Sequence, residues 1–252
     1  MAIYQNGSTQ CVPSIYGPTS AGTKRLSAVY AQVSGATCRI YEDSNLAVFV
    51  NAAYHFISNN EANESLNVRN TLVRNGLGGF SVFDSMTTSG QLLALAGKKY
   101  LVIPDLEHGD LLADLGNNAL SSLLNFVGRG GHLLLFHTGT CTVRLMENFD
   151  MKISSILPSG DFKRTSESLP GLPANLPDSL VFAMNPPSCS SIMALKISDS
   201  NRTAYTVLYG NSDNAGVLSF TYGQGRVSYL GWDWCGKSNA NWEAVLIGLL
   251  QV

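Results

Sequence analysis

The sequence predicts a three-layer α/β protein with a mostly parallel sheet, an N-terminal β arm and a C-terminal antiparallel hairpin. Short apolar runs at 46–50, 100–103 and 133–136 are typical of strands that are buried on both faces. Stretches with helical periodicity separate these runs, and the clearest has apolar residues at three- and four-residue spacing from Leu112 to Val127. This alternation favours a parallel sheet with right-handed crossovers.

The N-terminal region differs in composition from the rest of the chain. Pro, Gly, Ser and Thr dominate up to Lys24, and β-like runs at 26–33 and 37–41 surround a small-residue turn. We therefore expect an N-terminal arm with a β-hairpin over residues 1–45, followed by one α/β domain over 46–252.

The elements of the α/β domain follow in order. Helical segments are predicted over 61–75, 91–96, 110–127 and 241–250, and Asp110 is the expected cap of the third. Strands are predicted over 80–83, 100–103, 132–136 and 226–230, and the runs 204–209 and 216–222 predict a hairpin. The proline-containing segment 147–200 predicts a loop-rich insertion over one end of the sheet.

Composition excludes some classes of function. The chain has 252 residues, a net charge of -2 and only 13% charged residues, so no basic surface is available for nucleic acid. No apolar run is long enough for a membrane span, and the first residues lack a signal pattern. We expect a soluble protein that is either cytoplasmic or secreted after removal of a signal. A weakly charged surface also has little self-repulsion, which permits assembly.

The cysteines are five in number, widely scattered and without a CxxC pair, so a structural zinc site is not expected. We expect mostly buried, reduced thiols, with a Cys11–Cys38 bridge as the alternative.

Three motifs carry a family resemblance. They are YLVIPD at 100–105, GGHLLLFHTG at 130–139 and YGQGRVSYLGWD at 222–233. In this order they resemble the class I glutamine amidotransferase-like superfamily from Leu46 to the C-terminus, which implies a flavodoxin-like fold. The third motif is similar to the late strand of ThuA-like members.

The chain departs from that family at its nucleophile. The resemblance places His137, followed by Thr138 and Gly139, where amidotransferases carry a cysteine, and Cys141 comes four residues too late. The late His-x-Glu pair of the family is replaced by the Trp232–Trp234 segment. Imidazole does not replace a thiolate in acyl transfer from glutamine, so we expect no glutaminase activity. ThuA-like branches place a histidine at this turn and are associated with sugar metabolism.

Candidate site residues follow the predicted strands, whose carboxyl ends converge at one edge of a doubly wound sheet. His132 begins a strand at the opposite edge and is expected to be structural. The alternative is that these polar loop residues never meet. We predict catalytic roles for His137, Glu107 and Asp233. The predicted ligand-binding residues are His55, His108, Thr138, Trp232 and Trp234. A divalent metal ion is predicted to bind to His55, His108 and His137.

Two functions remain open at this point. The first is a catalytically degenerate domain, a pseudoenzyme used for binding or self-assembly, whose arm pairs with the sheet edge of a neighbouring copy to form a homo-oligomer. The alternative is a ThuA-like enzyme that acts on a carbohydrate-like, hydroxylated ligand through a histidine–carboxylate site, with or without a metal.

Overall fold

The computed structural model describes residues 45–57, 63–136, 140–156, 160–181, 194–197, 205–211, 214–235 and 239–252, without the side chains of residues 140 and 141. In the N-terminal region it describes only the backbone of four strands: β1 (Tyr16–Thr19), β2 (Gly22–Arg25), β3 (Ala28–Val33) and β4 (Ala36–Glu42). Strands β3 and β4 pair antiparallel, which confirms the hairpin predicted over 26–41. Strands β1 and β2 form a second hairpin, and neither hairpin pairs with another described strand.

The centre of the main sheet is parallel, as predicted. Its strands are β5 (Leu46–Phe49), β6 (Ser81–Phe83), β7 (Tyr100–Ile103), β8 (His132–Phe136) and β15 (Gly225–Leu230). Their spatial order is β6-β5-β7-β8-β15, and every pairing between them is parallel. After β5, the chain adds β6 on one side of it and then adds β7, β8 and β15 in turn on the other side. The order of the sheet therefore reverses between β5 and β7, where ligands bind in folds of this type.

Helices cover both faces of the sheet, which confirms the three-layer architecture. Helices α1 (Glu64–Arg74) and α6 (Ala240–Leu249) contribute Val68 and Trp242 to one buried cluster. Helices α2 (Thr88–Ala94), α3 (Leu111–Asp114), α4 (Asn117–Gly128) and α5 (Thr140–Glu147) lie on the other side, where Leu123 belongs to the second cluster. No described helix has the length and hydropathy needed to cross a bilayer.

The single helix predicted over 110–127 is wrong, because the structure divides it. Asp110 caps the first part as expected, by accepting a hydrogen bond from the N–H of Ala113 at 3.2 Å. Leu115 then takes an extended conformation (φ -71°, ψ 109°), and Gly116 caps α4. Gly116 and Asn117 have low propensity for a helix interior and high propensity for its start, which explains the break.

The segment 147–200 is not simply a loop-rich insertion. It contains β9 (Ser154–Ile156), β10 (Phe162–Arg164), β11 (Ser179–Leu180) and β12 (Ala194–Lys196), all of which join the main sheet. They extend the antiparallel part that β13 (Tyr205–Asn211) and β14 (Asn214–Tyr222) form beside β15, and the β13–β14 pair confirms the predicted hairpin. Strands of two or three residues are too short to produce a periodic pattern in the sequence.

Candidate functional site

Three carboxyl side chains from separate elements meet at the carboxyl end of the parallel strands. Glu64 is the first residue of α1, which follows β5; Asp105 lies two residues after β7, and Asp233 lies three residues after β15. Glu64 and Asp105 are buried, with 7% and 8% of their surfaces exposed, and Asp233 is half-buried. Glu64 and Asp105 were not among the predicted site residues.

The position of Glu64 is fixed by the cap of its helix. The Oδ1 atom of Asn63 accepts hydrogen bonds from the N–H of Leu66 and from the hydroxyl of Ser65, both at 2.9 Å. The asparagine thus satisfies the free N–H groups of the first turn and sets the residue at which α1 begins. Glu64 is thereby held in the first helical turn, at the strand ends.

Glu64 lies between the other two carboxyl groups. Burial raises its pKa, and the charges of Asp105 and Asp233, together with hydrogen bonds to both, raise it further. Burial also raises the pKa of Asp105 well above its ordinary value, whereas the hydrogen bond from Glu64 acts in the opposite direction. Glu64 is therefore the donor and Asp105 the acceptor in a pair that shares a proton.

The surroundings of Glu64 also require a proton. Within the described part of the chain, no N–H or O–H group donates to its buried Oε2 atom. A buried carboxylate without a donor is strongly destabilised, and other carboxylates beside it increase the cost. A protonated Glu64 removes both penalties, because it is neutral and can donate to Asp105.

Glu107, a predicted catalytic residue, contacts the backbone of two other segments. Its Oε1 atom accepts a hydrogen bond from the N–H of Glu64 at 3.1 Å, and its Oε2 atom accepts one from the N–H of Phe56 at 3.2 Å. Burial raises the pKa of Glu107, and these N–H groups partly oppose that effect. Glu107 therefore anchors the start of α1 and positions Glu64.

His55 and His108, predicted to bind ligand and metal, both contact the turn after β5. His55 is buried, its Nδ1 atom lies 3.1 Å from both the nitrogen and the oxygen of Asn51, and burial lowers its pKa to about 4. His108 is exposed, and its Nε2 atom lies 3.0 Å from the carbonyl oxygen of Ala52. His137 and Thr138 lie outside the described residues, so the predicted histidine trio is not described as a unit.

Trp232 and Trp234 were predicted to bind a ligand, with the alternative that one of them packs in the core under the last helix. Both are instead buried, with 8% and 2% of their surfaces exposed. Trp232 stacks on Trp242 with ring centroids 5.5 Å apart, and Trp234 packs edge-on against Phe136 at 5.7 Å. The segment follows a central strand and passes beneath α6, so these rings fill the core and are not available as a platform for a sugar.

Cys235 corrects the expectation of reduced thiols, because it is disulfide-bonded. The sulfur of Cys235 and one carboxylate oxygen each of Glu64 and Asp233 lie within 4.8 Å of one another. This spacing would suit a metal ion, but a disulfide sulfur is not a thiolate ligand. With Cys235 in a disulfide, only the carboxyl groups of Glu64 and Asp233 are left as metal ligands in this cluster.

His132 has the structural role that was predicted for it. It lies at the amino end of β8, and its Nε2 atom is 2.8 Å from the hydroxyl oxygen of Ser228. Burial lowers its pKa to about 3, so the ring is neutral. It takes no part in the carboxyl site at the other end of the sheet.

Comparisons with known proteins bear on the fold. No family model and no curated protein matches the chain. A ThuA-like protein from Bacteroides uniformis is 11% identical, with a TM-score of 0.55 over 81% of this chain and 88% of that protein. A cytoplasmic protein from Salmonella typhimurium is 13% identical, with a TM-score of 0.51 over 81% of this chain and 97% of that one.

A larger enzyme contains a similar unit. A β-galactosidase from Bacillus circulans is 14% identical, with a TM-score of 0.53 over 82% of this chain, but the chain spans only 30% of that enzyme. At these identities the likeness shows the fold alone. The fold is therefore similar to that of a ThuA-like protein, in agreement with the resemblance carried by the three sequence motifs.

Proposed function

We propose that the site formed by Glu64, Asp105 and Asp233 performs acid–base chemistry on a hydroxylated, carbohydrate-like substrate. The observation that carries this proposal is the meeting of the buried Glu64 and Asp105 carboxyl groups with the half-buried Asp233, where burial and like charge raise the pKa of Glu64 and of Asp105. A carboxyl group that keeps its proton near neutral pH can protonate a leaving oxygen, and burial with like-charged neighbours is the usual way to obtain one.

The residues take different roles in this proposal. Glu64 supplies the proton, Asp105 holds it in place by accepting the hydrogen bond, and Asp233 contacts a hydroxyl group of the substrate. Glu107 positions Glu64 through its backbone N–H. His137 remains a candidate for the same site, because the sequence places it directly after β8, which lies between β7 and β15.

Two further points support the substrate class. Carboxyl groups bind hydroxyl groups well because they accept and, when protonated, donate hydrogen bonds. Among solved structures with a similar fold are a ThuA-like protein and a β-galactosidase. The absence of a cysteine at the predicted elbow argues against glutamine hydrolysis.

The test is hydrolysis and binding with a panel of nitrophenyl glycosides and free sugars. We expect the wild type to act on at least one compound, and Glu64→Gln and Asp233→Asn to reduce kcat by about 100-fold or more. Glu147→Gln changes an exposed carboxyl at the end of α5 and should have no effect. A wild type that neither binds nor hydrolyses any member of the panel would refute the proposal.

Self-assembly is a second candidate function, and the edge of the sheet favours it. Strand β6 ends the described sheet, and its Val82 is 47% exposed. Leu92 and Leu93 of the neighbouring helix α2 are 65% and 83% exposed. An open strand beside exposed apolar side chains can pair with another copy, for which the N-terminal arm is the proposed partner segment.

Sedimentation of the full chain tests assembly. We expect a homo-oligomer that dissociates when Val82 or Leu93 is replaced by lysine, or when residues 1–45 are removed. A wild type that sediments as a monomer at all concentrations would exclude this function.

A further inference from the structure

Two exposed rings lie in contact at the point where the order of the sheet reverses. Phe56 belongs to the loop after β5 and His108 to the loop after β7, and the order reverses between these two strands. The ring centroids are 5.2 Å apart, and the ring planes are inclined by 46°. In an open α/β sheet, ligands bind in the crevice outside the carboxyl ends of such strands. The two rings therefore lie where this fold binds its ligands.

The exposure of Phe56 is unusual for this protein. Among the residues that the structure describes, Phe56 is the one phenylalanine, tyrosine or tryptophan with an exposed side chain. It is 46% exposed, and the next residue, Ile57, is 55% exposed. Exposed apolar side chains that lie together beside a crevice are typical of a binding surface. Phe56 thus offers the flat apolar face that the buried Trp232 and Trp234 do not.

Hydrogen bonds between the two loops hold the rings in place. The N–H of His108 donates to the carbonyl oxygen of Tyr54 at 3.2 Å, and the Nε2 atom of His108 lies 3.0 Å from the carbonyl oxygen of Ala52. In the other direction, the N–H of Phe56 donates to the Oε2 atom of Glu107 at 3.2 Å. Because the rings are fixed before a ligand arrives, binding costs less conformational entropy.

Glu107 also connects the rings to the carboxyl site. Its Oε1 atom accepts the hydrogen bond from the N–H of Glu64 at 3.1 Å, while its Oε2 atom binds the N–H of Phe56. A single carboxyl group therefore bridges the backbone of Phe56 and that of the proposed acid. The exposed ring and the acid lie on neighbouring segments at the same end of the sheet, so one substrate can contact both.

The imidazole of His108 adds a polar contact beside the apolar ring. A carbonyl oxygen only accepts hydrogen bonds, so in the neutral imidazole the Nε2 atom, next to Ala52, carries the proton. The Nδ1 atom is then an acceptor for an O–H group. A flat apolar ring with a hydrogen-bonding group next to it matches a cyclic sugar, which has a face of C–H groups and a rim of hydroxyl groups.

We infer that Phe56 and His108 form a sugar-binding platform: the C–H face of a sugar ring packs on Phe56, and a hydroxyl group of that sugar binds His108. This inference rests on the proposed acid–base function, because it describes how the same site binds its substrate. It also narrows the substrate class. An open-chain polyol has the same hydroxyl groups but no flat apolar face, so the platform selects ring-closed sugars.

The test compares cyclic and open-chain ligands by NMR titration of the full-length protein. The ligands are the methyl pyranosides of glucose, galactose and mannose and the three corresponding alditols. Nitrophenyl glycosides are not used for this purpose, because the nitrophenyl ring itself stacks on phenylalanine. We expect the wild type to bind at least one methyl pyranoside about 10-fold or more tightly than the matching alditol.

The variants assign this preference to the platform. Phe56→Ser and Phe56→Leu should raise the Kd of the pyranoside by about 10-fold, and Phe56→Tyr, which keeps the ring, should bind it like the wild type. His108→Ala should raise the Kd by about 3-fold or more, through the lost hydrogen bond. Val73→Ser is the matched control, because Val73 is 56% exposed near the opposite end of α1, and it should bind like the wild type.

The outcomes separate the platform from the proposed function. Pyranoside binding that is unchanged in Phe56→Ser, or a wild type that binds alditols equally well, would overturn the platform, while the loss of kcat in Glu64→Gln tests the acid–base function independently. If Phe56→Ser weakens pyranoside binding but Glu64→Gln and Asp233→Asn retain kcat, the acid–base function fails and the platform stands. If Phe56→Ser changes the sedimentation of the protein but not its sugar binding, a second copy covers Phe56 and the platform is overturned.

Discussion

The backbone N–H of Glu64 donates a hydrogen bond to the side chain of Glu107, with the nitrogen and Oε1 3.1 Å apart. The Glu107 carboxyl group therefore anchors the backbone of Glu64, whose own carboxyl group belongs to the site. The second oxygen of Glu107 binds the N–H of Phe56, so this side chain joins the loops after β5 and β7 to the start of α1. The negative charge also lies at the helix N-terminus, where the helix dipole favours it.

The first prediction concerns Glu107. Glu107→Ala removes two charge-assisted hydrogen bonds and should lower the free energy of unfolding by about 1–3 kcal/mol. Glu107→Gln keeps one acceptor oxygen and should cost less. Because the charge of Glu107 contributes to the raised pKa of Asp105, both variants should also lower that pKa. Urea denaturation and NMR titration of the aspartates measure the two effects, and an Ala variant as stable as wild type would contradict the anchoring role.

The second prediction is the pH dependence of stability that the carboxyl pair confers. The pKa values of Glu64 and Asp105 are raised above their ordinary values of 4.5 and 3.8, so the folded state binds protons more tightly than the unfolded state. Their contribution to stability is complete below those ordinary values and is lost as pH rises towards the folded-state pKa values. Glu64→Gln, which cannot ionise, should therefore become more stable than wild type as pH rises, by up to about 1.4 kcal/mol per pH unit above pH 4.5.

Urea denaturation at pH 5 and pH 8 measures this difference. Glu147→Gln, at an exposed position, is the matched control and should show no such trend. A wild-type advantage over Glu64→Gln that grows with pH would mean that Glu64 is ionised in the folded protein.

The third prediction has the opposite sign and concerns His132. Its folded-state pKa of about 3 lies below the ordinary value of 6.5, so protons bind the unfolded state more readily. The resulting stability is present above pH 6.5 and is lost as pH falls towards 3. His132→Gln should reduce the loss of stability between pH 6.5 and pH 4, as measured by urea denaturation. His55, whose pKa is lowered to about 4, should account for part of the remaining loss. If the variant loses stability over this pH range as steeply as wild type, the ring is not held neutral by burial.

The sequence predicted most of the fold because the long buried strands and amphipathic helices carry strong periodic signals. The strand at 132–136 is a continuous buried apolar run, and α4 buries Ala119, Leu123 and Val127 at four-residue spacing on one face. The break at Leu115 was missed because apolar spacing continues through it, and only the local preference of Gly116 marks it. The short strands β9 to β12 were missed because two or three residues show no period.

The site was predicted only in part. The rule that strand ends converge found Asp233, and the same rule applies to Asp105, which follows Pro104 at the end of β7. Glu64 could have been found from the Asn63-Glu64 pair, because an asparagine before a helical pattern marks a helix start. A helix that starts after a parallel strand begins near the carboxyl end of that strand. Core packing under the last helix was expected for one of Trp232 and Trp234, and the structure buries both.

The fourth prediction concerns the tryptophans. All three are at least nine-tenths buried, so acrylamide should quench their fluorescence weakly in the folded protein and strongly in urea. Sugars that bind the carboxyl site should leave the quenching unchanged, because the rings face the core. Strong quenching of the folded protein, relieved by a sugar, would restore the interpretation of Trp232 or Trp234 as a ligand platform.

The fifth prediction tests how the loops that hold the site fit together. Gly109 has a φ of +74°, and a Cβ atom there would lie 2.8 Å from both the carbonyl oxygen of Ala53 and the ring of Tyr54. Gly109→Ala should therefore lower the free energy of unfolding by about 2–5 kcal/mol, as the sum of backbone strain and overpacking.

Gly76→Ala is the matched control, because Gly76 has a similar φ of +79° but nothing within 4 Å of the added Cβ. The control variant should lower the free energy of unfolding only by the backbone strain, about 1–2 kcal/mol.

Gly109→Ala should also separate the loop after β7 from the turn after β5. This separation weakens the contact of Glu107 with Phe56 and lowers the pKa of Glu64. Urea denaturation and the NMR titration of Glu64 measure the two effects. Equal losses of stability in the two variants would show that the loops do not depend on this close contact. An unchanged titration of Glu64 in Gly109→Ala would show that α1 keeps its start without it.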